Sequence, residues 1–185
     1  MDDTCWYEIV TGDTLFQGNF LLACPSRLER DWPWPLPPDA LAMQWVTTDL
    51  VVLTQSCNLQ HSRIAEVFLA QVASWSTVVK EESARGNSTV LSREFRKKLI
   101  EGNIPGLSLL HKHSDSVFLD WSVVNFRRLY SVPLVFLQKF AGSCGPRLRL
   151  RSPYREHLAQ AFARYFMRVG LPHDAKAFEK EGDAK

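Results

Sequence analysis

Asp49-Leu50-Val51-Val52-Leu53-Thr54-Gln55 is the stretch from which the architecture follows. It is short, β-branched at its centre and apolar without interruption from Leu50 to Leu53, the pattern of a strand buried on both faces. Residues 63–75 form a second, alternating run, with Ile64, Val67, Leu69 and Val72 among its apolar positions. The spacer Cys57-Asn58-Leu59-Gln60-His61-Ser62 joins the two as a hairpin with a generous loop.

Upstream, Trp6-Tyr7-Glu8-Ile9-Val10 is aromatic and β-branched, Gly12-Asp13 interrupts it, and Phe20-Leu21-Leu22-Ala23-Cys24 follows the turn signal Gly18-Asn19. Residues 6–24 therefore read as one or two strands. Residues 25–38 carry Pro25, Pro33, Pro35, Pro37 and Pro38 with Trp32 and Trp34, and proline lacks the N–H that a strand ladder needs. That stretch reads as an extended loop whose indoles either cover the core or present a recognition surface.

Downstream the period changes at Ser76. Residues 77–85 and 92–101 read as helices, each closed by a glycine, Gly86 or Gly102. Strand character returns at 117–121 and 126–132 until Pro133. Arg147-Leu148-Arg149-Leu150-Arg151 alternates without fault, which predicts leucines inward and three arginines together on an outer face. Ser152 and Pro153 have the chemistry of an N-cap and a first helical residue. Leu158, Ala161, Phe162, Tyr165, Phe166 and Val169 then mark one buried stripe of a terminal helix, ended by Gly170 and Pro172. The elements add up to a β-rich α+β domain over residues 1–172: five to seven strands in a partly closed barrel, a helical insertion at about 76–102, and a packed C-terminal amphipathic helix. Residues 173–185 read as a flexible tail.

At 185 residues, with 45% hydrophobic and 23% charged residues, the chain has the size and composition of one globular domain. Its net charge of +2 names no partner. Cys5, Cys24, Cys57 and Cys144 are widely spaced, and the acidic start lacks a secretory pattern, so free thiols in a cytoplasmic setting are expected. The longest apolar runs fall far short of the roughly 20 residues needed to cross a bilayer, so no membrane role is expected. No Walker A, dinucleotide-binding glycine, HExxH or GxSxG pattern occurs, and no cofactor is implied.

The order of these elements resembles the MazF/PemK-type toxin fold, an SH3-like barrel closed by a C-terminal helix. The residues that carry it are Gly12-Asp13, Val51-Val52-Leu53-Thr54, Val67-Phe68-Leu69-Ala70-Gln71-Val72 and Phe118-Leu119-Asp120-Trp121-Ser122-Val123-Val124. The resemblance implies a bacterial toxin–antitoxin or anti-phage setting. The family's ribonucleases have an arginine just before the strand matching Val51-Val52-Leu53-Thr54 and a hydroxyl residue at the end of the next. Asp49-Leu50 stands in the first place and Ser74 in the second. A carboxylate cannot stabilise a phosphorane as a guanidinium can, so the resemblance implies the fold without family-type RNA cleavage.

Two clusters carry candidate chemistry. Cys57, four residues before His61 and directly after a buried strand, has the residue types of a thiolate and its base, while Ser56 and Asn58 equally suit bonding of the turn's backbone. A metal site would need further ligands, with His111 and His113 the local choice, and the spacing is unlike that of zinc sites. The arginines Arg147, Arg149, Arg151, Arg155, Arg164 and Arg168 suit contacts to the phosphates of RNA or single-stranded DNA, or a solvated face paired with acids. The chain is therefore expected to bind nucleic acid, or a protein partner encoded by a neighbouring gene. A divergent endoribonuclease, a cysteine-dependent enzyme centred on Cys57 and a purely structural subunit are the alternatives.

Overall fold

The computed structural model describes residues 6–27, 45–60 and 64–167. Within it, Leu50, Val51 and Val52 end the strand β3 (Trp45–Val52) and are fully buried. The pleat sends Val51 to one apolar cluster, with Phe20, Val124 and Phe126, and Leu50 and Val52 to another, with Leu21, Leu69 and Leu137. This explains why the stretch is apolar at every position: its sheet is covered on both faces.

That sheet runs β2 (Phe20–Arg27), β3, β4 (Glu66–Ser74), β8 (Ser122–Pro133), β5 (Leu107–Leu110), with every neighbouring pair antiparallel. It is open, and among the described residues no sheet closes on itself. A two-stranded ribbon, β1 (Tyr7–Val10) with β9 (Arg147–Leu150), is fastened to it by the bridge between Asn19 and Arg149. The hairpin of β6 (His113–Ser114) and β7 (Phe118–Leu119) forms a third sheet, and its Leu119 joins the first cluster. The first cluster lies under the ribbon and α5 (Tyr154–Phe166), the second under α4 (Leu134–Ser143) and α1 (Ser56–Gln60). The insertion comprises α2 (Trp75–Ala84), a 3-10 turn (Ser88–Leu91) and α3 (Arg93–Ile100).

Three local readings need correction, and the stretch after Pro133 adds an element. The strand β2 continues through Pro25 to Arg27, because it lies at the sheet's edge, where a missing N–H leaves no ladder bond unmade. The apolar run after Pro133 is helix α4, which lays Leu134, Leu137 and Ala141 into the second cluster. Helix α5 has Pro153, not Ser152, as its cap and receives no side-chain cap bond. Its stripe packs through Leu158, Ala161, Phe162 and Tyr165, whereas Phe166 stands 52% exposed in the last turn. Trp32, Trp34, Val169 and the tail at 173–185 lie outside the described residues.

Candidate functional site

Cys57 is exposed near the start of α1, with Gln55 Oε1 at 3.9 Å and Asn58 Oδ1 at 4.0 Å as the contacts of its Sγ. His61 lies outside the described residues. Neighbouring Ser56 serves the fold, since its Oγ accepts the Gln17 N–H at 3.1 Å and so ties the segment after β1 to the end of β3.

Ser74 caps α2, accepting the Thr77 N–H at 3.2 Å and sharing a hydroxyl bond with Thr77 at 2.8 Å. It also lines a cleft of about 760 Å³, and Asp49 lines the same cleft. The cleft opens because the β3–β4 ladder is three pairs long and stops at Leu50 and Gln71. Asp49 is occupied locally, its Oδ1 accepting the Ala23 N–H at 2.7 Å where β2 bulges and Ala23 takes a φ of 50°. Arg128 brings the guanidinium that Asp49 lacks, yet it donates to Gln71 Oε1 at 3.1 Å and lies 3.6 Å from Glu81. With Asp49 and Glu81 against Arg128, the cleft favours no phosphate.

The arginine row is divided by its surroundings. Arg147 is only 4% exposed. Its Nη1 donates to the carbonyls of Ala141 and Gly145, while Nε and Nη2 are buried without partners, and burial pushes its pKa down. The expectation of three arginines on an open outer face therefore fails at Arg147, because the end of α4 covers that face. Arg149 donates from Nε to Glu8 Oε1 at 2.6 Å and sits over the Phe16 ring at 4.7 Å. This bond, ahead of the charges of Arg149, Arg151 and Arg155, holds the Glu8 carboxyl below the usual range. Arg155 is drawn to Glu156 at 2.6 Å. Arg151 and Arg164 are exposed, and Arg168 lies outside the described residues.

A surface that the sequence did not single out lies between α3, β5 and α5. The Trp6 ring is held between Tyr154 (centroids 3.9 Å apart, planes at 14°) and His111 (5.6 Å, 30°), and His111 meets Trp121 edge-on at 4.4 Å. These rings form one end of a groove of about 530 Å³ whose floor includes Leu107, Leu109 and Leu158 and whose rim carries Arg164 and Glu101. An adjoining apolar slot of about 300 Å³ is bounded by Trp75, Ile100, Trp121 and Arg96. Ile100 is 72% and Trp121 39% exposed. The signal available in the sequence was Ile100 at the end of a charged helix and the lone Trp121 beside Asp120. Among the described residues no three His, Cys, Asp or Glu side chains group as metal ligands, and no helix is long and apolar enough to cross a membrane. No protein-family model matches the chain, and no curated protein matches it.

Proposed function

We propose that the chain is a protein-binding module of a bacterial toxin–antitoxin or anti-phage defence system, acting without MazF/PemK-type ribonuclease activity. The groove between α3, β5 and α5 is its contact surface. The observation that carries this reading is the exposure of Ile100 and Trp121 at the mouth of an apolar slot. Large apolar side chains around a concave floor, edged by arginine, have the make-up of an interface centre. The genetic setting and an SH3-like relationship of the sheet rest on the MazF/PemK resemblance, and a cytoplasmic location rests on the spacing of the cysteines and the acidic start. The partner is the product of a neighbouring gene. Co-expression with that product should give a complex that survives high salt, and Ile100→Lys should abolish it while leaving the melting temperature unchanged. A complex indifferent to Ile100→Lys would exclude the groove as the contact surface.

A second reading, single-stranded RNA or DNA, uses the same groove. Trp121 offers an exposed ring for a base, and Arg96 and Arg164 lie beside it for phosphates. Salt-sensitive retention of an oligonucleotide, lost in Arg164→Gln and Trp121→Ala, would favour it over the protein partner. The enzyme alternative rests on the exposed Cys57 thiol, since the cleft of Asp49, Ser74 and Arg128 favours no phosphate. Loss of phenotype in Cys57→Ala with the fold intact would favour that reading.

A further inference from the structure

Strand β8 breaks its own alternation. Along β4, Ala70 pairs with Leu129 and the very next residue, Gln71, pairs with Asn125, so Phe126, Arg127 and Arg128 have no partners on β4. Such a bulge re-aims side chains that a regular strand would send to opposite faces. Phe126 turns into the core at 1% exposure, while Arg127 and Arg128, though adjacent in sequence, line one cavity. The bulge is fixed by the Phe126 N–H donating to Gly106 O at 2.9 Å and the Arg127 N–H donating to Asn125 Oδ1 at 3.0 Å. Gly106 is required here: a Cβ would lie 3.2 Å from Arg127 Nε and 3.1 Å from Tyr165, at a φ of +82°.

The cavity holds about 400 Å³ between β4, β8 and the helical insertion, within the range of small-molecule sites. One wall is apolar, from Val78, Val90, Phe95, Ile104 and Leu107. The other is polar and its charges are largely matched. Arg85 is paired with Glu82 at 2.7 Å, and Arg128 is beside Glu81. Arg127 has no ion-pair contact among the described residues, although its charge helps hold the Glu82 carboxyl down, and three arginines against two glutamates leave one cation in excess.

We propose that this cavity binds a free mononucleotide. A phosphate meets Arg127 and the excess positive charge of the three arginines. The side-chain NH2 groups of Gln71 and Asn125, whose oxygens already accept from Arg128 and the Arg127 N–H, are left to donate to acceptors on the edge of a base. Glu81 and Glu82 supply acceptors for ribose hydroxyls, as acidic residues do in dinucleotide sites. The Phe95 ring and its aliphatic neighbours cover the base face. No simpler ligand answers all four features: an inorganic anion leaves the apolar wall bare, and an apolar compound leaves the excess positive charge unmatched. The site goes beyond the partner groove and shares none of the exposed residues assigned to it.

Calorimetric titration of the full chain with AMP, GMP, CMP and UMP, and separately with inorganic phosphate, tests the proposal. At least one nucleotide should bind with one-to-one stoichiometry, and phosphate at least about tenfold more weakly. Arg127→Gln, an exposed position, should weaken the nucleotide by roughly tenfold or more through loss of a charged hydrogen bond. Lys139→Gln, an exposed position on α4 away from the cavity, should leave its affinity unchanged. As a readout free of substitution, the same nucleotide should move the side-chain amide NMR signals of Gln71 and Asn125. The proposal is overturned if no nucleotide binds at about 1 mM, if phosphate binds as well as the nucleotide, or if neither Arg127→Gln nor the amide signals respond.

Discussion

Two arginine-bearing strands of this molecule invert what their sequences announce. Arg147-Leu148-Arg149-Leu150-Arg151 alternates without fault, yet β9 buries its first arginine and pairs its second with Glu8. Arg127-Arg128 violates alternation, yet the bulge delivers both to one cavity. Periodicity tells which side chains share a face of a strand. It does not tell what covers that face, and a single bulge cancels it locally.

Phe126→Ala should give the largest effect in either region, about 3–5 kcal/mol of lost stability, because a fully buried ring under the bulge disappears. A loss under about 1 kcal/mol in chemical denaturation would mean that the bulge is not anchored in the core. Arg147→Ala should come next at about 2–3 kcal/mol, since it removes buried packing and leaves the Ala141 carbonyl unmatched. Arg147→Met should cost much less, because it replaces a buried and largely unpaired charge by an apolar chain of similar reach. Arg151→Gln, on an exposed residue past the strand's end, should stay within about 0.5 kcal/mol. Equal effects at positions 147 and 151 would restore the symmetrical arginine face.

The pairing of Arg149 with Glu8 contributes the smallest term. Both side chains keep some solvent contact, 21% and 39%, so screening limits the pair to about 1 kcal/mol or less. The folded-state pKa of Glu8 lies below its unfolded value, so the contribution is fully present above the ordinary carboxylate range near pH 4 and fades as pH falls through the folded pKa. The stability gap between wild type and Glu8→Gln should therefore exist at pH 7 and shrink towards pH 3. A gap independent of pH would show that Glu8 acts by packing alone.

Much of the architecture was legible, for reasons visible in single residues. Leu50 to Leu53 announced a doubly covered strand, Gly86 and Gly102 closed the two insertion helices, and Leu158 to Tyr165 marked the terminal helix. Helix α4 was not legible: its apolar residues follow directly on the end of strand β8, and only the tertiary docking of Leu137 and Ala141 decides for helix. The pairing of β1 with β9, across nearly the whole chain, leaves no local trace. The candidate sites were less legible still. Ser74 and Asp49 do share a cleft, but Ser74 caps a helix there. The Trp6–His111–Trp121 cluster, and the cavity that Arg127 and Arg128 line, exist only because distant segments meet.

If the apolar groove, and not the arginine strand, is the contact surface, the two should respond oppositely to substitution. Size-exclusion chromatography with light scattering on the chain co-expressed with its neighbouring gene's product separates them, comparing Ile100→Lys with the double substitution Arg149→Gln and Arg151→Gln. Ile100→Lys should elute as the free chain with an unchanged melting temperature, while the arginine variant should keep the complex. A complex kept by Ile100→Lys and lost by the arginine variant would move the contact surface from the groove to β9.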